Sequence, residues 1–571
     1  MKEVIVREYL ESLKEDKELD LLFPMLLEVM GFIIVTSPKE YKGHKQYGKD
    51  IIAYGYDPYD NIKKRFYFEL KGGRDRNIDV KTFAKDDGIR MSIIEAKDRD
   101  YSNNSIEGFN GLPVKIVIVH NGVISPDVSD TFEGFITREF PKDGSFEFAR
   151  WDISKLTSLF SEHLFNEYLL TNEENTRLFK RMLVFMDVPE NSQRDFYSLV
   201  HNIISKTDKG NISKTNFPVH LIRFFETLKL ISLITHQYAR EANNLEISKK
   251  CIPYLVLRVW CWIISNHLEK NKRVLGKFQE IFLLHKSFLS EYFTKMLPIS
   301  QTKYGLFSEN SGRYEQIGFP MRCMEYLSYL NYWLLIQDEN ELSIDQKNGI
   351  LTTFIDCNDG TCRPLLDNHS IPIFLTISFY VQNGKIDNAK NYLAQVFEQI
   401  IISKNFSGWF PDGKNNPESL IRLIARREKS IYYEDKASML IGMLFELLAA
   451  FKMESAYYEF RSQLIDIQLS TFIPFSDNLL HSYFPDISNS HEELLFSHEL
   501  YEEGYQSEIK LDENFLDFYT KTKNKKEYEI EYRTAHTKFS VLLKLAHLYY
   551  NTPFFPQEWR SMFDVQEKSI Q

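Results

Sequence analysis

Two carboxylates and a lysine lie on neighbouring segments that read as β-strands. Asp50 opens the apolar run 50–55, and Glu69 and Lys71 lie near the end of the run 64–71. Both runs are bounded by glycine and charged residues, as strands commonly are. Side chains alternate across a strand, so Glu69 and Lys71 share one face, which Asp50 joins if the strands pair. The spacing therefore predicts two acids and a lysine at one point of a sheet.

Two converging carboxylates repel each other unless a cation neutralises them, and oxygen ligands favour Mg²⁺ or Mn²⁺ over Zn²⁺. Asp50 and Glu69 are therefore the predicted metal ligands. A lysine beside the ion can orient a water molecule and stabilise the negative charge that develops on a phosphate. This combination predicts hydrolysis of phosphodiester bonds, with Lys71 as the third catalytic residue.

The two segments resemble the PD-(D/E)XK restriction-endonuclease-like fold. The second motif is Glu69-x-Lys71, and the first resembles the Mrr-like branch, in which Gly-x-Asp, here Gly48 to Asp50, replaces Pro-Asp. The resemblance covers residues 15–160 and implies a nuclease core with the element order α-β-β-β-α-β. We therefore predict an N-terminal α/β/α domain followed by a large all-α region, which makes the chain an α+β protein.

The remaining elements of this core can be drawn in the implied order. Strands are predicted at 32–36, 114–119 and 146–152, and helices at 80–97 and 153–164, in addition to the two motif strands. Short apolar segments rich in β-branched residues favour strands, and apolar residues at three- and four-residue spacing favour helices. The order of predicted elements agrees with the resemblance.

The resemblance also implies a carboxylate on the first helix. That helix carries apolar residues at helical spacing and stops at Gly31, a suitable residue for a helix C-terminus. Counting back from Gly31 places Asp20 at the expected position. Pro24 could start the helix late and leave Asp20 in a loop, in which case Glu28 is the alternative.

Basic residues are concentrated around the motif. Between residues 39 and 76 the chain has ten lysines and arginines against six acids, although the whole chain carries a net charge of −11. Lysine and arginine near phosphates supply backbone affinity for nucleic acid. Lys45, Lys49, Arg74 and Arg76 are the predicted contacts, and a solvated polar loop is the equally favoured alternative.

Two other motif matches indicate no site. Residues 43–50 match the P-loop pattern except at the last position, where Asp50 replaces the required hydroxyl and a strand follows instead of a helix. Cys357, Cys362 and His369 lack an obvious fourth zinc ligand. We interpret both cysteines as ordinary buried or loop residues.

Length and composition set the domain organisation. A chain of 571 residues is too long for one core. We predict a nuclease-like domain at 1–170 and helical domains at 171–305 and 306–571, the last two for sensing, docking or oligomerisation. Five cysteines favour a reducing cytoplasm over a disulfide framework. The apolar stretches near 251–265 and 439–451 predict buried helices and no membrane span.

Two function classes remain. The first is a Mg²⁺-dependent endonuclease acting on nucleic acid, most simply double-stranded DNA. Proteins that resemble this layout, a nuclease domain with a helical tail, are often effectors of bacterial antiphage defence and sometimes work with an ATPase partner of the SMC or translocase type. The helical region would regulate or recruit the nuclease and could form a homo-oligomer. The second is a non-catalytic adaptor that uses a degenerate nuclease fold to grip nucleic acid. Metal-dependent cleavage that requires Lys71 would separate the two.

Overall fold

The chain is described by a computed structural model. It covers residues 6–7, 10–11, 13–36, 48–85, 88–141, 144–164, 173–184, 189–207, 210, 217–472, 506–525 and 533–563. The chain divides into two units, Met1–Ile247 and Ser248–Gln571. The domain boundaries predicted near residues 170 and 305 stay predictions.

The first unit contains a mixed five-stranded sheet in the order β1-β2-β3-β4-β5. Its strands are β1 (Ile33–Thr36), β2 (Ile51–Tyr56), β3 (Lys63–Lys71), β4 (Val114–His120) and β5 (Phe146–Trp151). The first three strands are antiparallel, whereas β4 runs parallel to β3 and β5 runs parallel to β4. The two motif strands are therefore paired neighbours at the centre of the sheet, as the sequence predicts.

Helices follow the predicted order around this sheet. They are α1 (Asp20–Val29), α2 (Val80–Ala84), α3 (Ile89–Asp98), α4 (Pro126–Glu139), α5 (Ile153–His163), α6 (Glu173–Val184), α7 (Pro189–Ser205) and α8 (Val219–Glu241). Helix α1 ends before Gly31, whose φ of +87° favours glycine. The single helix predicted at 80–97 is two helices, because the chain is extended at Lys85 and Gly88.

Aromatic and aliphatic residues cover both faces of the sheet. On one face, Phe68 packs edge to face on Phe23 of α1, with ring centroids 5.2 Å apart. On the other face, Ile118 of β4 joins a buried cluster that includes Phe83 and Phe132. Burial of one such ring stabilises the fold by about 1.5–3 kcal/mol. The sheet is thus covered by helices on both faces, and polar side chains on either face require a specific reason.

The second unit is largely helical. Helix α9 (Leu245–Ser265) begins three residues before it. The helices that follow are α10 (Lys272–Ser300), α11 (Glu315–Ile336), α12 (Ile344–Cys357), α13 (Ser370–Gln382), α14 (Ile386–Ile402), α15 (Pro417–Arg426), α16 (Met439–Ala450), α17 (Glu454–Leu464), α18 (Phe515–Asn524), α19 (Val541–Tyr550) and α20 (Pro556–Arg560). The chain is therefore α+β, with a sheet-containing first part and a helical second part.

The helical unit also holds a small three-stranded sheet. It consists of β6 (Ala437–Ser438), β7 (Gln468–Phe472) and β8 (Gln506–Ile509) in that order. The prediction of an all-α region missed it, because these strands are short, partly polar and paired across long stretches of sequence. Such pairing leaves little local hydrophobic periodicity to detect.

The two longest apolar stretches form α9 and α16. Nearly all of their side chains are buried, as the sequence predicts for core helices. Among the described helices, none combines the length and the hydropathy that a membrane crossing requires.

Candidate active site

Asp50, Glu69 and Lys71 meet where β2 begins and β3 ends. The antiparallel pairing of these strands brings the residue before β2 beside the last residues of β3. Asp50 Oδ2 accepts a hydrogen bond from the backbone N–H of Leu70 at 2.7 Å. Lys71 Nζ lies 2.8 Å from Glu69 Oε1. The structure therefore brings the three residues of the predicted motif together at one end of the sheet.

The electrostatics of this site indicate an excess of negative charge. Burial, followed by the neighbouring Glu69 carboxylate, raises the pKa of Asp50 well above its ordinary value of 3.8. Burial alone would lower the pKa of Lys71, but the carboxylates of Glu69, Glu15 and Asp50 outweigh it and raise that pKa. A bound cation would stabilise the ionised form of a carboxyl group whose pKa is raised by burial and by a second acid.

Glu15 supplies a carboxylate from outside the sheet. Its Oε1 lies 3.7 Å from Lys71 Nζ, and its Oε2 accepts a hydrogen bond from the N–H of Gly72 at 3.3 Å. Glu15 opens a short π-helical turn, Glu15–Leu19, which leads directly into α1. Sequence reasoning missed Glu15 because it extended a regular α-helix back from Gly31. An acid in the turn preceding an apolar helix is the signal that was available.

Asp20, the predicted helix carboxylate, is the first residue of α1 and is partly buried. Pro24 lies inside α1 as its fifth residue, so it neither starts the helix nor leaves Asp20 in a loop. Glu28, the alternative, lies near the other end of α1. Lys71 and Gly72 contact Glu15, which lies five residues before the predicted Asp20.

The glycine pair after the motif accommodates protein backbone. A Cβ atom on Gly72 would lie 2.8 Å from the backbone nitrogen of Glu15 and 3.0 Å from the carbonyl carbon of Lys14. Gly73 has a φ of +61° and donates its N–H to Leu13 O at 3.1 Å. The sequence suggested close approach of a phosphate at this pair. In the structure the pair lets the segment that carries Glu15 approach the end of β3.

The four predicted nucleic-acid contacts have different environments. Lys45 lies outside the described residues. Lys49 is buried with its Nζ 5.3 Å from the centre of the Tyr67 ring, and burial lowers its pKa to about 8. Arg76 donates from Nη1 to the backbone O of Glu11 at 2.7 Å, whereas Arg74 is exposed beside the site. Arg74 therefore presents the most accessible charge of the three described residues.

A second lysine–carboxylate cluster lies at the opposite end of β3. Oxygen atoms of Asp57, Asp60 and Glu147 lie within 4.8 Å of one another and could hold a metal ion. Lys64 hydrogen-bonds to all three, at 3.0 Å from Asp57 Oδ2 and 2.7 Å from Glu147 Oε2, and Lys115 lies 2.7 Å from Asp57 Oδ2. The ammonium groups of Lys64 and Lys115 therefore already pair with these carboxylates. Sequence reasoning did not identify this cluster.

The cysteine and histidine residues considered for zinc make separate contacts. Cys362 donates to Gln395 Oε1 at 3.4 Å, and His369 Nδ1 accepts from the N–H of Leu365 at 3.0 Å. Burial lowers the pKa of His369 to about 3. These contacts are structural, and each of the two side chains is hydrogen-bonded within its own surroundings.

No protein-family model matches the chain. No curated protein matches it either, and no solved structure does. Function therefore has to be inferred from the geometry of the site and the chemistry of its residues.

Proposed function

We propose that the chain is a metal-dependent endonuclease that hydrolyses phosphodiester bonds. The observation that carries this proposal is the convergence of Asp50, Glu69 and Lys71 at adjacent strand ends, with a raised pKa at Asp50. The proposal includes a restriction-endonuclease-like fold of the Mrr-like branch for the first unit. The element order and the strand positions of the motif support that assignment.

Asp50 and Glu69 fit Mg²⁺ or Mn²⁺ as ligands. Both offer hard carboxylate oxygens, and Glu69 is 5% exposed, so its charge requires a nearby partner. Glu15 can add a third carboxylate from the turn before α1, which transfers to Glu15 the role that the sequence suggested for Asp20. A bound Mg²⁺ would polarise the scissile phosphate and lower the pKa of a water molecule.

Lys71 acts on the phosphate and on the attacking water. Its ammonium group stays protonated because the surrounding carboxylates raise its pKa, so it can donate hydrogen bonds to a phosphate oxygen. Water attacks phosphorus as it loses a proton to solvent, the new P–O bond forms, and the bond to the leaving oxygen breaks. That oxygen then takes up a proton from solvent.

The substrate and partners are extensions of this proposal. We assign double-stranded DNA as the substrate, supported by the basic residues around the motif and by the exposed Arg74. A role as antiphage effector with an SMC-like or translocase ATPase follows from the resemblance alone. A homo-oligomer is proposed from the large helical region, which carries no catalytic motif. Five free cysteines support a cytoplasmic location.

One observation favours a second candidate, a non-catalytic nucleic-acid adaptor. Lys71 contacts both Glu69 at 2.8 Å and Glu15 at 3.7 Å, so it already offsets part of the negative charge without a metal ion. A site that is stable in this form could bind nucleic acid without cutting it.

Cleavage by the purified chain tests the choice. Plasmid, linear duplex, single-stranded DNA and RNA are incubated with Mg²⁺, Mn²⁺ or EDTA, using the native chain, Asp50→Ala and Lys71→Ala. We expect metal-dependent cutting of duplex DNA that both substitutions abolish. Binding without cutting, indifferent to metal and to both substitutions, would establish the adaptor instead.

A further inference from the structure

The segment that carries Glu15 is fastened to the strand ends on one side. Asn121, which is fully buried after β4, donates from Nδ2 to Leu10 O at 2.6 Å and to Leu13 O at 2.8 Å. Gly73 donates to the same Leu13 carbonyl. These bonds hold the backbone before Glu15. The turn Glu15–Leu19, which orients the Glu15 side chain, is held by other contacts.

On its other side, the same turn is held by α8. Arg240 Nη1 lies 2.7 Å from Glu18 Oε1, and the other oxygen of Glu18 accepts the N–H of Lys14 at 2.7 Å. Helix α8 also packs against α1. One carboxylate therefore joins an arginine near the end of α8 to the backbone amide immediately before Glu15.

The Arg240–Glu18 pair stabilises the turn Glu15–Leu19, which has little stability of its own. π-Helical turns are rare and are frequently found at functional sites. Lys14 precedes the turn, and its amide would lack an intrahelical partner without the Glu18 side chain. Glu18 is 8% exposed, and a buried carboxylate needs a charged partner to offset the cost of burial. Arg240 supplies that partner.

We propose that Arg240 is a positioning residue for the active site. It fixes Glu18, Glu18 holds the amide of Lys14, and the resulting turn places the Glu15 carboxylate beside Lys71. Through this chain of contacts, helix α8 determines whether the third carboxylate of the site is in place. The inference rests on the proposed function and deepens it, because it links the metal site to a helix outside the sheet and its covering layers.

Mn²⁺ affinity, measured by electron paramagnetic resonance titration of the full chain, tests the inference without relying on cleavage. We expect Arg240→Met to weaken Mn²⁺ binding about tenfold, the low end of the loss when an outer partner of a metal ligand is removed. Arg240→Lys should keep most of the affinity because it keeps the charge. The matched control is Arg181→Met, which breaks another arginine–carboxylate pair, 2.9 Å long, and should leave Mn²⁺ binding unchanged.

A double substitution separates positioning from general destabilisation. Glu15→Gln weakens Mn²⁺ binding if Glu15 is a ligand, and adding Arg240→Met should then cause no further loss. Additive losses, or unchanged affinity in Arg240→Met, would overturn the inference while metal binding by the native chain still supported the proposed function. A native chain that neither binds Mn²⁺ nor cuts would overturn both. Thermal unfolding of each variant confirms that the proteins compared are folded.

Discussion

The two ends of β3 carry the same residue types with opposite electrostatics. At one end, the carboxylates of Glu69, Glu15 and Asp50 raise the pKa of Lys71, and burial followed by the Glu69 carboxylate raises the pKa of Asp50. At the other end, three carboxylates face two lysines. There, burial would raise the pKa of Asp57, but hydrogen bonds, chiefly from Lys115, outweigh it and lower that pKa.

The comparison supports the proposed metal site at the Asp50 end and a structural role for the cluster around Lys64. Hydrogen bonds from lysines lower the pKa of Asp57 and of Asp60, so these two acids are stabilised in their ionised form and the cluster holds strands together. Where burial and a neighbouring carboxylate raise the pKa of an acid, as at Asp50, a metal ion would stabilise its ionised form. Geometry alone favours the other end, because Asp57, Asp60 and Glu147 are the three carboxylates grouped within 4.8 Å of one another among the described residues.

The largest expected effect is on cleavage. Lys71→Met should lower the cleavage rate at least about 100-fold, because it removes a donor that stabilises charge on the transferred phosphate. Lys64→Met is the matched substitution at the other end of β3 and should keep the rate within about threefold. Rates are measured on duplex DNA at a temperature where both variants are folded. Equal losses in the two variants would remove the distinction between the ends.

The loss of stability should show the reverse order, with Lys64→Met losing more than Lys71→Met. Lys64 is 1% exposed and serves three carboxylates, so Lys64→Met should lower the free energy of unfolding by about 3 kcal/mol. Lys71→Met should cost less than Lys64→Met, because Lys71 is more exposed and pairs closely with one carboxylate, Glu69 at 2.8 Å, whereas Lys64 hydrogen-bonds to three. Urea denaturation of the two variants measures both changes. A larger loss for Lys71→Met would assign Lys71 a mainly structural role.

Mn²⁺ should stabilise the chain through one end only. At a concentration of 100 times the dissociation constant, a single bound ion raises the free energy of unfolding by about 2.7 kcal/mol. Asp50→Asn should abolish this gain, whereas Asp60→Asn should retain it. Denaturation with and without Mn²⁺ measures the difference. If Asp60→Asn abolishes the gain instead, the cluster around Lys64 is the metal site.

The smallest expected effect is on the pH dependence of metal-free stability. A raised pKa in the folded state means that Asp50 contributes stability below pH 3.8, which is lost as pH rises through its folded pKa. Asp57, with a lowered pKa, contributes stability above its ordinary value that is lost as pH falls. Denaturation from about pH 4 to about pH 8 should therefore show that Asp50→Asn flattens the decline, whereas Asp57→Asn destabilises the chain at neutral pH. A decline unchanged by Asp50→Asn would contradict the first assignment.

Much of the fold around the site follows from local patterns. The period of two in a strand places Glu69 and Lys71 on one face, and the apolar runs around the motif correctly predict paired strands. Gly31 ends α1 as expected, since its positive φ is a local requirement. The division of the predicted helix at 80–97 and the small sheet of the second unit were missed, because they depend on extended backbone at Lys85 and Gly88 and on long-range strand pairing.

The sequence by itself determined the three motif residues, because two strands with a short connection and a fixed side-chain period leave few alternatives. Only the tertiary structure decided which carboxylate joins them. Glu15 reaches Lys71 because a π-helical turn, two glycines and Arg240 bring distant parts of the chain together. The balance of acids and lysines at each end of β3 is likewise a sum over residues far apart in sequence, which no local spacing encodes.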